Sequence, residues 1–438
     1  MRQFILGLVI LIPNTAAAGD LPAAAADADY RPINRAESEL GQLLFYDPIL
    51  SGNKGVACAT CHHPRLGTSD GLSLGIGDGG IGLGPSRVVD PNNLPEQRVP
   101  RNAPALFNLG AREFTALFHD GRIALDASRP SGLRTPLDDD MATGFASLLS
   151  AQTMFPVLSA DEMAGHYSEN DVAKAVRQGL LTGQGGAWDI ITRRVAALTD
   201  YVDRFTAVYP QIRSADQINF TDISNAIAAF MEFEWRSDTA PFDAFLRGEL
   251  VLTEPASEGM ALFYGEAGCS ACHSGTFQTD HNFYAMAAPQ VGPGKAARFE
   301  SNARDEGRFR VTGDPSDLYK FRTPSLRNVA ITAPYGHAGS HADLEAFVRD
   351  HLDPVARLKQ YDPAQLILPQ MQVDDLRILE DETETAAIAA AVTQPPVSLN
   401  DSEITALIAF LNSLTDPTAL AGRLGVPETV PSGLTVPN

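Results

Sequence analysis

Four cysteines occur in the 438 residues, and all four fall in two copies of one frame, Cys58-Ala59-Thr60-Cys61-His62 and Cys269-Ser270-Ala271-Cys272-His273. No cysteine is left for an independent disulfide, so these frames fix what the chain must fold around. Two thiols one helical turn apart can add to the two vinyl groups of a haem, and the next residue swings an imidazole beneath the iron. The frames therefore call for two covalently bound haems c, attached through Cys58, Cys61, Cys269 and Cys272, with His62 and His273 as proximal iron ligands. A zinc site would need four converging thiols or more His in register, and a thiol-redox site would sit in a βαβ pattern. Neither pattern accompanies the frames.

The surroundings of the two frames echo one another. ELGQLLFYDPILSGNKGVACATCHH precedes the end of the first and EGMALFYGEAGCSACHSG spans the second, each an apolar-periodic helix ending in LFY. RNAPALFNLGAREFTALFHDGR follows the first and RTPSLRNVAITAPYGHAGS the second. Such self-similarity implies two cytochrome c-like units. Helical periodicity covers 171–181, 187–209 and 220–235, the last N-capped by Thr221 or Asp222, and 401–416 near the C-terminus. Strand signals are few. The fold class is mostly α, with a first cytochrome c-like domain over 36–238, a second over 239–416, and extended tails at 19–35 and 417–438. GIGDGG in the stretch 66–87 matches G-x-G-x-x-G formally, but lacks the preceding strand and following helix of a nucleotide site. It reads as a glycine-rich loop beside the first haem.

The N-terminus opens with Arg2, an apolar run from Phe4 to Ile12, and small residues ending near Ala18, the pattern of a cleaved secretory signal over 1–18. The run is well short of the roughly 20 residues that a bilayer span requires, and no other stretch is long and apolar enough. The expected location is the periplasm, with no membrane span. Formal charge is -21, from 54 acidic and 33 basic residues. A phosphate backbone would be repelled, which excludes nucleic acid as a partner class.

RNAPALFN, FHDGR, QTMFPVLSADE, PFDAFLRGE, GRFRVTGDP and FRTPSLRNVAITAPYGHAGS stand in this order around the two frames. Together they resemble the bacterial di-haem cytochrome c peroxidase family, which includes the MauG-type protein-maturing enzymes. The resemblance implies that the first haem meets peroxide and the second exchanges electrons with it. It makes Glu162 the distal acid-base residue, Gln152 its polar companion and Pro156 a pocket-shaping residue. Family peroxidases keep a His in the loop after the first frame that blocks the iron until the other haem is reduced. Here no His or Met lies between His63 and His119, and Leu94 stands eight before Asn102, so the first iron is expected to be open. His63 cannot reach the opposite haem face and is expected at the surface.

The sixth ligand of the second iron must come from downstream, where His281, Met286, His337, His341 and His351 are candidates. The family's register, counted from Leu344, selects His351, where relatives carry Met or Tyr; a second imidazole lowers the potential relative to a thioether. His337 is then structural or contacts a propionate. Asn102, Thr332 and the Pro334 carbonyl match the family's calcium site, and oxygen donors suit that hard cation. His119 stands where the family has an inter-haem Trp, and is either a relay or, as the repeat-mate of His337, structural.

Three functions follow. The first is a MauG-like enzyme in which hydrogen peroxide oxidises the haem pair, which then oxidises a partner protein. The second is a peroxidase drawing electrons from a small redox protein. The third is a non-catalytic electron carrier or haem sensor. The open first iron with Glu162 argues against the third, and the missing blocking His and the His351 ligand argue for the first.

Overall fold

The computed structural model describes residues 21–166, 169–295 and 300–438. The signal segment expected over 1–18 lies outside the described residues. Among those described, helices dominate and strands are limited to three small antiparallel sheets: Gly80–Ile81 with Val88–Val89; Ala116–Leu117, Ile123–Leu125 and Leu133–Arg134; and Phe283–Tyr284 with Phe321–Arg322. No helix among the described residues is long and apolar enough to cross a membrane.

Each half is organised by one crossing of two helices. Arg35–Tyr46 packs on Phe220–Glu234, and Glu254–Phe263 packs on Asp401–Asn412. A glycine sits at each contact. A Cβ on Gly41 would lie 1.8 Å from the Ala226 carbonyl oxygen, and one on Gly259 would lie 1.8 Å from that of Ala406. The close approach drops equivalent aromatic rings into each core. Phe45 and Phe230 centroids are 5.2 Å apart and Tyr46 and Phe230 6.1 Å, while Phe263 and Phe410 are 5.0 Å apart and Tyr264 and Phe410 6.0 Å. The duplication thus extends to the closing helices, Ala226-Ile-Ala-Ala-Phe230 and Ala406-Leu-Ile-Ala-Phe410.

Local expectations need three corrections. The stretch 187–209 is two helices, Ala187–Ala196 and Thr199–Val208, with Leu198 extended between them. Trp188, Ile191 and Val195 keep helical spacing, but the next buried residues are Tyr201 and Phe205, a step that one straight helix cannot hold on a single face. The cap of Phe220–Glu234 is Asn219, not Thr221 or Asp222; its side chain accepts from the amides of Thr221 and Asp222, and Asp222 returns a bond to Asn219 N at 3.0 Å. Residues 417–438 are not a loose tail. Pro417–Ala421 is helical, Val430 is buried, Ser432 Oγ donates to Asp47 Oδ1 at 2.6 Å, and Glu234 accepts from the amides of Leu424 and Gly425 at 2.7 and 2.8 Å. The segment wraps back onto the first half.

The Gly positions decide between opposed effects. Alanine gains about 1 kcal/mol of helix propensity over glycine, whereas a Cβ 1.8 Å from a carbonyl must push the helices apart, and overpacking costs about 1–3 kcal/mol. Gly41→Ala and Gly259→Ala are therefore each expected to lower the denaturant midpoint, and a raised midpoint would count against the close crossing.

Candidate active site

The first frame forms a single helical turn, Cys58–Cys61, with His62 at its C-cap. His62 Nδ1 lies 2.9 Å from the Thr68 carbonyl oxygen. A carbonyl only accepts, so Nδ1 carries the proton and Nε2 keeps the lone pair that an iron would take. The second frame repeats this. Cys269–Ala271 is one tight turn, and His273 Nδ1 lies 3.2 Å from the Gln278 carbonyl oxygen. Pro104 and Pro324, equivalent in the repeat, each bring a backbone carbonyl to the corresponding imidazole. Both donor sets fit a haem bound through two cysteines and one imidazole.

Glu162 lies on the wide turn Ala160–Ala164, against which the turn Pro156–Leu158 packs. It is close enough to Cys61 to act on that thiol electrostatically. Burial pushes the Glu162 carboxyl above its ordinary pKa, and the cations Lys295 and Arg122 pull the other way. Gln152, on Leu148–Thr153, has a buried Oε1 with no hydrogen-bond partner. The glycine-rich loop closes on this segment: a Cβ on Gly77 would lie 2.3 Å from the Asp161 carbonyl oxygen and 2.6 Å from Glu162 Cα. Buried Arg87 locks the loop, donating to the carbonyls of Ile76, Gly77 and Gly82 at 2.6 Å each. Buried Asp70, beside Cys61, is pushed up to about 7 by desolvation.

His351 lies on Leu344–Leu352 with Nδ1 3.0 Å from the Phe347 carbonyl oxygen, which again leaves Nε2 as the lone-pair nitrogen. It is near enough to His273 to depress that imidazole's protonation, second to burial. Three other imidazole candidates make contacts of their own. His341 uses Nδ1 on Ser340 Oγ at 2.9 Å and Nε2 on Asp350 at 2.8 Å. His281 Nε2 is 3.1 Å from Glu113. The His337 ring stacks on Phe321 with centroids 3.8 Å apart. Expected at the surface, His63 is instead 1 % exposed, because its Nδ1 caps the turn that follows, accepting from Arg65 N at 3.3 Å, and the returning C-terminal chain brings Pro437 against it.

Asn102 joins the two halves. Its amide N donates to the His337 carbonyl at 2.8 Å, its Nδ2 to the Leu72 carbonyl at 2.8 Å, and its own carbonyl lies 3.3 Å from His119 Nε2. Thr332 and Pro334 are on the segment whose Ile331 carbonyl abuts Gly67. Beside Asn102, buried Arg101 bridges Asp305 at 2.6 and 2.8 Å and Asp120 at 2.7 Å. Arg101, Asp120 and Arg122 lie in the motifs RNAPALFN and FHDGR without being singled out there, and Asp70, Arg87, Lys295 and Asp305 did not stand out, since single charged residues in loops carry no periodic signal.

A family model described as di-haem cytochrome c peroxidase matches residues 35–250. The methylamine utilization protein MauG of Methylorubrum extorquens is 30% identical over 321 residues, covering 73% of this chain and 69% of the relative. The chain belongs to the di-haem cytochrome c peroxidase and MauG family. The cytochrome c551 peroxidase of Pseudomonas aeruginosa is 29% identical, covering 72% of this chain and 71% of the relative. A crystal structure of a MauG-like protein associated with microbial copper homeostasis superposes with a TM-score of 0.57 at 26% identity, covering 93% of this chain and 97% of that one. This member is a peroxidase-type di-haem oxidoreductase using hydrogen peroxide, with two haems as its cofactors.

The Arg101 network predicts acid sensitivity. Burial alone would raise both carboxyls, but the guanidinium outweighs it, holding Asp120 at about 2 and Asp305 well below the carboxylate range. Depressed pKa values stabilise the fold above the unfolded value of about 3.9, and that contribution is lost as pH falls through about 2. Arg101→Met leaves buried Asp305 without its ion-pair partner and Asp120 with Arg122 alone, at 3.4 Å, at a cost of about 3–5 kcal/mol. Urea unfolding from pH 7 to 2 should show the variant destabilised near neutrality, with the gap narrowing on acidification.

Proposed function

We propose that this protein is a periplasmic MauG-like enzyme that takes hydrogen peroxide at its first haem and uses the resulting oxidising power on a partner protein. The observation that carries the reading is Glu162, an acid-base group beside the first frame, combined with a following loop from 64 to 118 that holds neither His nor Met to block the iron. In this reading Cys58 and Cys61 would attach the first haem and His62 would ligate its iron, while Cys269 and Cys272 would attach the second, with His273 and His351 as its iron ligands. The two haems supply an iron that receives peroxide and a second iron that shares the oxidising equivalents. Glu162 takes the proton from the near peroxide oxygen and delivers it to the far one, so that water leaves. Gln152 orients the peroxide through its unpartnered Oε1, and Pro156 starts the turn that packs behind Glu162. Asn102, Thr332 and the Pro334 carbonyl supply neutral oxygen donors for one calcium ion that fixes the junction. His119, tied to Asn102 and held neutral at about 3, first by burial and then by Arg101, is a fixed strut of that junction.

The similarity to the cytochrome c551 peroxidase supports a second reading, peroxide reduction with electrons from a small redox protein. Stopped-flow absorbance separates them. The all-ferric protein should react with one equivalent of peroxide without prior reduction, and Glu162→Gln should slow that step by roughly 10² to 10⁴. A ferric form that is inert until half-reduced would establish the second reading.

Ligation of the second iron is checked independently. His351→Ala should abolish the low-spin signal of the second ferric haem while leaving the first unchanged. A retained low-spin signal would assign the ligand to another residue.

A further inference from the structure

Oxidising equivalents held at the second frame must leave the protein somewhere, and one side chain there is built to release a proton together with an electron. Tyr284 lies on the short strand Phe283–Tyr284 and is half-buried, beside exposed Asn282. Its hydroxyl donates to Asp280 Oδ2 at 2.7 Å. The same oxygen is within hydrogen-bonding range of the Cys272 thiol, the group that attaches the second haem. Asp280 is held in place by its own amide, which donates to the Cys272 carbonyl at 2.9 Å, and its carboxylate accepts from Asn282 N at 2.9 Å and Asn282 Nδ2 at 3.0 Å. A phenol, a fixed carboxylate and a haem-bearing cysteine thus meet at the surface of the second half.

We propose that Tyr284 is the exit residue for oxidation of the partner, passing through a neutral phenoxyl radical with Asp280 as its proton acceptor. The inference rests on the MauG-like reading. Its balance is simple. The Tyr284 O–H bond breaks, one electron goes to the peroxide-oxidised haem pair, and the proton goes to Asp280 Oδ2. The radical then takes one electron from an oxidisable side chain of the partner and recovers the proton from Asp280. Two such passes consume the two equivalents of one peroxide, which leaves as two waters with two protons supplied by the partner.

Two other tyrosines among the described residues each lack one element of this arrangement. The Tyr46 hydroxyl is buried without any acceptor, so its proton would have nowhere to go. Tyr201 donates to Asp47 at 2.8 Å but is wholly buried, out of a partner's reach. Tyr284 combines a carboxylate partner, closeness to a haem attachment point and partial exposure.

The test uses the full-length ferric holoprotein, frozen at intervals after one equivalent of peroxide, with the haem absorbance and the electron paramagnetic resonance spectrum taken on the same samples. An organic radical signal that narrows when the tyrosines are ring-deuterated is expected, lost in Tyr284→Phe and slower to build in Asp280→Asn. A nitroso spin trap should place its adduct on the peptide containing Tyr284. A haem response accompanied by no such radical, or by one that persists in Tyr284→Phe, overturns the exit residue and leaves the MauG-like reading standing. Absence of any haem response in the ferric protein overturns both.

Discussion

Everything in the molecule is registered against a backbone contact made twice, Gly41 on Ala226 and Gly259 on Ala406. Without a side chain at these points the two helices of each half approach closely enough for Phe45 and Phe263 to lie against Phe230 and Phe410. That floor sets where the chain leaves each first helix, and the cysteine frame follows within a short connection in both halves. At these crossings a single methyl group has no space to enter. The glycines matter here for their missing Cβ, not for backbone freedom.

What was legible in the sequence is what local physics dictates. The C-x-x-C-H spacing fits one helical turn, and both frames adopt one; apolar periodicity located the helices ending in LFY and the helix Asp401–Asn412. The resemblance drawn from ordered motifs agrees with the family match over 35–250. Long-range closure was not legible. Nothing near His63 announces that the chain end returns over it, and nothing in residues 417–438 announces that Glu234 will accept its amides. The break at Leu198 was visible only as a phase slip between Val195 and Tyr201, which a continuous run of helix-formers conceals. The repeat between AIAAF and ALIAF was available but short, and a five-residue apolar match carries weight only once both segments are seen to cross a glycine.

The two frames differ in their surroundings. Around the first, buried charge is concentrated: Asp70, Arg87 and Glu162 act on Cys61, and Arg122 and Lys295 act on Glu162. Lys295 comes from the second half of the sequence, and burial followed by the Arg122 charge brings it down to about 8, so this buried pocket is completed by both halves. Beside the second, Tyr284 donates to Asp280, and the buried pair Arg327 and Asp243 stands against the Thr276 carbonyl. Between the two lies Asn102, bonded to the carbonyl of His337 and reached by the imidazole of His119. Both imidazoles are held neutral, His119 at about 3 and His337 at about 4, in each case chiefly by burial. A neutral junction flanked by a cluster of two cations and two anions, Arg101 and Arg122 with Asp120 and Asp305, changes charge little when either half does. Such an arrangement favours passage of electrons over passage of protons: a hole crossing it meets no titrating group, whereas a proton would have to charge an imidazole that its surroundings keep uncharged.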